Sequence, residues 1–99
     1  MPDARLKVME AIARQKVLAV LYNGQMIKLA PHVLFERHGD LYVSALNLSK
    51  AWRSPDERRL GQFKLAGLSA PDVLDEGFEP LPAYTPTAPR DDDTVLLAI

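Results

Sequence analysis

A chain of 99 residues, 47% hydrophobic and 25% charged, has the length of one domain and a composition typical of proteins that fold in water. It has no cysteine, which excludes disulfides, thiolate metal sites and a cysteine nucleophile. Its net charge of -1 hides an asymmetry: residues 1–69 hold eleven Lys and Arg against six Asp and Glu, whereas residues 70–99 hold Arg90 against seven acids, so a basic body carries an acidic tail.

Asp3 is a candidate N-cap, and Leu6, Met9, Ile12 and Ala13 recur at helical spacing opposite Arg5, Lys7, Glu10 and Arg14, which predicts an amphipathic helix. Val17 to Tyr22, Asn23-Gly24 and Gln25 to Ala30 predict a hairpin, because both residues of a tight I′ turn need positive φ. Pro31 has no N–H to donate and predicts a bend or an edge position before Val33-Leu34-Phe35. A second turn at Arg37-His38-Gly39-Asp40 leads into a strand at Leu41 to Leu46. Residues 49–59 lack strand alternation and read as a polar loop. In Gln62 to Ala66, Phe63 and Leu65 alternate with polar residues, as in a half-buried strand. Ser69 followed by Asp72 predicts a short helical turn through Leu74. Glu79 to Asp93 contains four prolines and three consecutive aspartates and reads as an extended linker. Thr94 to Ile99 is again β-prone, and is expected either to pair with an edge strand, of its own sheet or of a second copy, or to fray.

The order of these motifs resembles the WYL domain, a regulatory module of bacterial transcription factors and some CRISPR-associated proteins. The resemblance spans roughly residues 8 to 79 and rests on the helix, the strand ending in Tyr22, Leu29-Ala30-Pro31-His32-Val33-Leu34, and the turn at 37–40. It continues through Leu41-Tyr42-Val43 at the signature position, Gln62-Phe63-Lys64-Leu65 and Glu76-Gly77-Phe78-Glu79. It implies a mainly β fold, a small SH3-like or Sm-like antiparallel barrel of about five strands with one N-terminal helix, over residues 1–79. Residues 80–99 form a Pro-rich acidic tail. The family usually has an arginine two residues before the conserved phenylalanine and another four after it, both thought to help bind anionic ligands; Gly61 and Gly67 stand there in this chain. The helix-turn-helix that usually precedes the module is not in this sequence.

The candidate ligand-binding residues are Tyr42, Trp52, Arg53, Arg58, Arg59, Lys28 and Lys64, since phosphates pair with cations while bases stack on aromatic faces. Lys50 adds a further charge to the loop. Trp52 can equally pack over the open end of the barrel, and the arginines can pair with Asp56 and Glu57. His32 and His38 have no identifiable third metal ligand, no nucleophile and base are juxtaposed, and neither an enzymatic activity nor a cofactor is expected. The function expected is a regulatory module binding single-stranded nucleic acid or a nucleotide-like anion. The alternative is a protein-interaction or self-assembly module, a homodimer or partner of another regulator, whose ligand site has decayed. The longest charge-free stretch in the body, Val17 to Ile27, is too short to span a bilayer, and charges from Arg5 to Lys16 break any secretory h-region. A cytoplasmic protein without membrane contact is expected.

Overall fold

The helical spacing near the N-terminus and the two turn signals organise the first half of the chain as expected. The structure, a computed structural model, describes residues 4–50, 53, 58–81 and 93–99. Helix α1 (Ala4–Arg14) is followed by β1 (Lys16–Tyr22), β2 (Gln25–Arg37), β3 (Asp40–Asn47), β4 (Gly61–Lys64), a 3-10 turn at Leu65–Gly67, β5 (Ser69–Gly77) and β6 (Thr94–Ala98). All six strands belong to one antiparallel sheet in the order β4-β3-β2-β1-β5, with β6 on β2. Among the described residues no helix is long and apolar enough to cross a membrane.

Both hairpin turns have the backbone that their residues favour. Asn23 and Gly24 have φ of 51° and 77°, and His38 and Gly39 have φ of 52° and 82°, the pair of left-handed conformations that matches the twist of the flanking strands. Between them β2 runs for 13 residues. Pro31 does not break it. The strand stays paired to β3 on both sides of Pro31, and the irregularity is a bulge at His32, between the Pro31–Ala45 and Val33–Ser44 pairs. On the opposite edge of β2 the β1 ladder stops at Leu29 and the β6 ladder begins at Val33. Pro31 falls in that gap, where its missing donor leaves no ladder partner unserved.

Three expectations are corrected. The strands expected within residues 1–79 are present as β1 to β5, and β6 adds a sixth from the tail, but the sheet is not closed into a barrel: β4 and β5 are its two ends, with no ladder between them among the described residues. Only four residues of β4 are paired, and β5 leaves its register with β1 between Ser69 and Asp72, where Ala70 takes a positive φ of 49°. Ser69 to Leu74 is strand rather than a helical turn, because pairing along β1 satisfies its backbone better than one isolated turn would. The buried stripe of α1 is Val8, Ala11 and Ile12, while Leu6 and Met9 are exposed; small Ala11 lets the helix approach the sheet closely.

The main core lies between α1 and one face of the sheet. Val8, Ala11 and Ile12 pack with Leu18, Val20, Leu29, Leu34, Val43 and Ala45, and Leu65 and Leu68 close one side. Phe63 of β4 meets Tyr22 of β1 edge to face, with ring centroids 5.4 Å apart. These alternating positions account for the inner face of β2 and β3. Phe35, completely buried, has the other parity and points to the outer face, where the candidate site lies.

Candidate functional site

The outer face is organised by the register of β2, β3 and β4. Phe35 lies opposite Tyr42, Arg37 opposite Asp40, and Tyr42 opposite Lys64. Directly opposed residues project to the same side of a sheet, so Phe35, Arg37, Asp40, Tyr42 and Lys64 share one surface. The Phe35 and Tyr42 rings stack with centroids 5.6 Å apart and planes 12° from parallel. The Arg37 guanidinium sits 5.3 Å from the Phe35 centroid and 5.2 Å from that of Tyr42, within the distance at which a cation is drawn to the negative face of a ring.

Arg37 also holds a carboxylate from the far end of the chain. Its Nε donates to Asp93 Oδ1 and its second terminal nitrogen to Asp93 Oδ2, both at 2.8 Å. This is the two-pronged geometry in which guanidinium and carboxylate pair best. The Asp93 side chain is 0% exposed and that of Arg37 10%, so the pair is removed from water and little screened by salt. Asp93 immediately precedes β6, whose pairing with β2 runs from Glu36 opposite Thr94 to Val33 opposite Ala98. The C-terminal segment therefore pairs with an edge of its own sheet.

A second polar contact fastens the same region. At the β2 bulge, His32 is fully buried. Its Nδ1 lies 2.7 Å from the Ala30 carbonyl oxygen, and its Nε2 accepts the Leu81 N–H at 3.2 Å. These partners define a neutral ring with the proton on Nδ1. Burial pushes its pKa below the ordinary histidine value, against a smaller opposing effect of the Ala30 carbonyl. The Phe78 ring packs on the imidazole at 5.3 Å, and the Ile99 N–H donates to the His32 carbonyl at 3.1 Å. One residue thus joins the bulge, the chain leaving β5 and the end of β6.

The residues singled out in the sequence are brought together only in part. Tyr42 and Lys64 are cross-strand neighbours, and Lys64 pairs with Asp40 at 3.4 Å. Arg58 and Arg59 are exposed just before β4, which enters opposite Ala45, three positions from Tyr42. Lys28 is nine positions from Arg37 along β2, a strand distance of up to roughly 30 Å. It pairs instead with Glu76 of β5 at 3.7 Å, and its backbone lies beside Ser49 at the far end of β3. Arg53 is exposed. Trp52 lies outside the described residues. Gly61 and Gly67 face aromatic rings: a Cβ on Gly61 would lie 3.3 Å from Phe63 Cε1, and one on Gly67 3.6 Å from Tyr22 Cε1.

Arg37, Phe35 and Asp93 are not among the candidate binding residues, and His32, weighed only as a metal ligand, is instead a buried hydrogen-bonding junction. The signal for the first two was present, since positions 35 and 37 share a strand face. Docking of Thr94 to Ile99 would bring Asp91, Asp92 and Asp93 near the sheet surface, but nothing in a run of three aspartates singles out Asp93 or names Arg37 as its partner. Among the described residues no group of three His, Asp or Glu is arranged to hold a metal ion. No family model, curated protein or solved structure matches the chain.

Proposed function

We propose that this chain is a non-enzymatic, cytoplasmic regulatory module of the WYL type, which binds single-stranded nucleic acid or a nucleotide-like anion on the outer face of β3 and β4. The observation that carries the reading is the cross-strand pairing of Tyr42 with Lys64 on one surface, with Arg58 and Arg59 leading into the same edge. An aromatic ring beside several cations offers stacking to a base and countercharge to its phosphates. Lys28 and Arg53 are peripheral in this reading and supply long-range attraction only, which falls off over about 8 Å at physiological salt.

Binding of a fluorescent single-stranded oligonucleotide at several salt concentrations tests it. Log affinity is expected to fall linearly with log salt, and replacing both Arg58 and Arg59 by Gln should make the slope shallower by roughly 1 to 1.5, at about 0.7 for each phosphate no longer neutralised. No binding at low salt overturns the reading. A protein-interaction module is the second reading, favoured by a specific feature: the sheet is open, and β4 and β5 are edges that can accept a strand. In that case a concentration-dependent dimer accompanies the absence of oligonucleotide binding.

A further inference from the structure

We propose that Arg37, held on the Phe35–Tyr42 ring pair, is an oxyanion-binding group whose resident occupant is the chain's own Asp93 carboxylate, and that a phosphate or carboxylate of a ligand takes the same place when the C-terminal segment is released. The inference rests on the anion-binding reading of this face and names how that face is regulated.

Three observations support it. The guanidinium has neighbours besides Asp93, because it lies at 5.3 and 5.2 Å from two rings that stack on each other; those rings stay in place when the anion is exchanged. Its two donors are engaged in parallel at 2.8 Å, a fork that fits any oxyanion with two oxygens on one edge, phosphate included. Asp40, opposite Arg37 in the hairpin and the nearer acid in sequence, is instead paired with Lys64 at 3.4 Å.

The occupant is also attached by a strand suited to release. Asp93 is 56 positions from Arg37 in the chain. The strand that delivers it has five residues, of which Thr94, Val95 and Leu96 are exposed, and its ladder to β2 is interrupted between Leu34 and Phe35. An exposed outer half and a short, irregular ladder are the marks of a segment that opens locally before the rest of the domain, starting at the Asp93 end, since Leu97 and Ile99 at the other end pack on the core. The resident carboxylate is tethered, so it competes at an effective concentration that a free anion must exceed. The wild-type face is accordingly closed to small anions and responsive to ligands that also engage Tyr42 and Lys64.

The test compares the full chain with its Asp93→Asn and Asp93→Ala variants. Thermal unfolding in sodium phosphate or sodium formate, against sodium chloride at equal ionic strength, should show a saturable rise in Tm for the variants and none beyond that of chloride for the wild type. Adding Arg37→Gln to either variant should abolish the rise. Asp93→Asn keeps the shape but not the charge, so where either variant is too unstable to melt cooperatively, refolding yield in phosphate or formate against chloride at equal ionic strength is read instead, with the same dependence on Arg37 expected. Asp40→Asn in the same background removes a neighbouring carboxylate able to swing onto Arg37, and should enlarge the response. A fluorescent oligo-dT of about ten nucleotides distinguishes the source of the anion: Asp93→Asn should bind it about tenfold more tightly than wild type, a difference of about 1.4 kcal/mol, and Arg37→Gln should cancel the gain. If phosphate and formate act through Arg37 but no oligonucleotide binds at low salt, the oxyanion site stands and the nucleic-acid reading falls. If oligonucleotide binding depends on Arg58 and Arg59 but neither it nor the anion effect depends on Arg37 and Asp93, the function stands and this inference is overturned.

Discussion

On the inner face of β2, Leu29 and Leu34 meet α1 through aliphatic contacts; on the outer face of the same strand, Phe35 is just as buried but lies in a stack of Tyr42, Arg37 and Asp93. The inner contacts are nondirectional and need only apolar residues at the right period. The outer ones depend on a charge meeting its partner at one distance and angle. The difference teaches that one strand can carry a stability core on one side and a polar, exchangeable closure on the other. The two sides should respond differently to mutation, pH and salt.

The largest effects are expected from the two cores themselves. Leu18→Ala on the inner face and Phe35→Ala on the outer face should each cost roughly 3 to 5 kcal/mol in urea unfolding. Combined with Asp93→Asn, the Leu18 variant should add and the Phe35 variant should not, because only Phe35 supports the Arg37 pair. Equal additivity of both would mean that the outer stack is not a unit. Asp93→Asn alone should cost about 3 kcal/mol, since it removes the countercharge of a buried guanidinium; a loss insensitive to added sodium chloride would confirm a dry pair.

A smaller effect separates the faces by pH. The pKa of His32 is lowered in the folded state, chiefly by burial. The folded protein therefore binds fewer protons than the unfolded chain once pH drops below the ordinary histidine value. Stability from the neutral ring is complete above about 6.5 and declines as pH falls through the folded-state pKa. Urea midpoints measured from pH 7.5 downward should show this decline, and His32→Gln should flatten it. Amide exchange should accelerate first at Leu81, whose N–H loses its acceptor when Nε2 is protonated. Exchange accelerating equally throughout α1 and β1 would place the proton's effect elsewhere.

The smallest change expected is at the surface. Asp40 and Lys64 are each about half exposed, and Asp40→Asn should alter stability by no more than about 0.5 kcal/mol, an effect removed by salt. A cost comparable to that of Asp93→Asn would show that the two carboxylates share one network around Arg37.

Much of the fold was legible because it depends on short-range chemistry. Asn23-Gly24 and His38-Gly39 specify two turns through the conformations they tolerate, and Phe63 between Gln62 and Lys64 specifies which face of β4 turns inward. Where two signals competed, local reading was insufficient. Ser69 and Asp72 offer a helix cap, yet the edge of β1 offers nine residues a ladder. Leu6 and Met9 continue a helical period as well as Val8 does, and only the shape of the sheet surface selects Val8, Ala11 and Ile12. Of the candidate site, Tyr42 and Lys64 are legible as members of two separate motifs, and only the β3–β4 register makes them neighbours, while Lys28 is separated from them by the length of β2.

The amino-acid order by itself determined a mainly β chain with one leading helix, two tight hairpins and a β-prone end, because propensity and period act over a few residues. Tertiary structure alone decided that Arg37 closes on Asp93, that His32 joins three segments, and that β6 continues the edge of β2 where β1 leaves it. Those contacts link residues 49 to 67 positions apart. Their energy depends on distance, burial and angle in three dimensions, and no local pattern encodes those quantities.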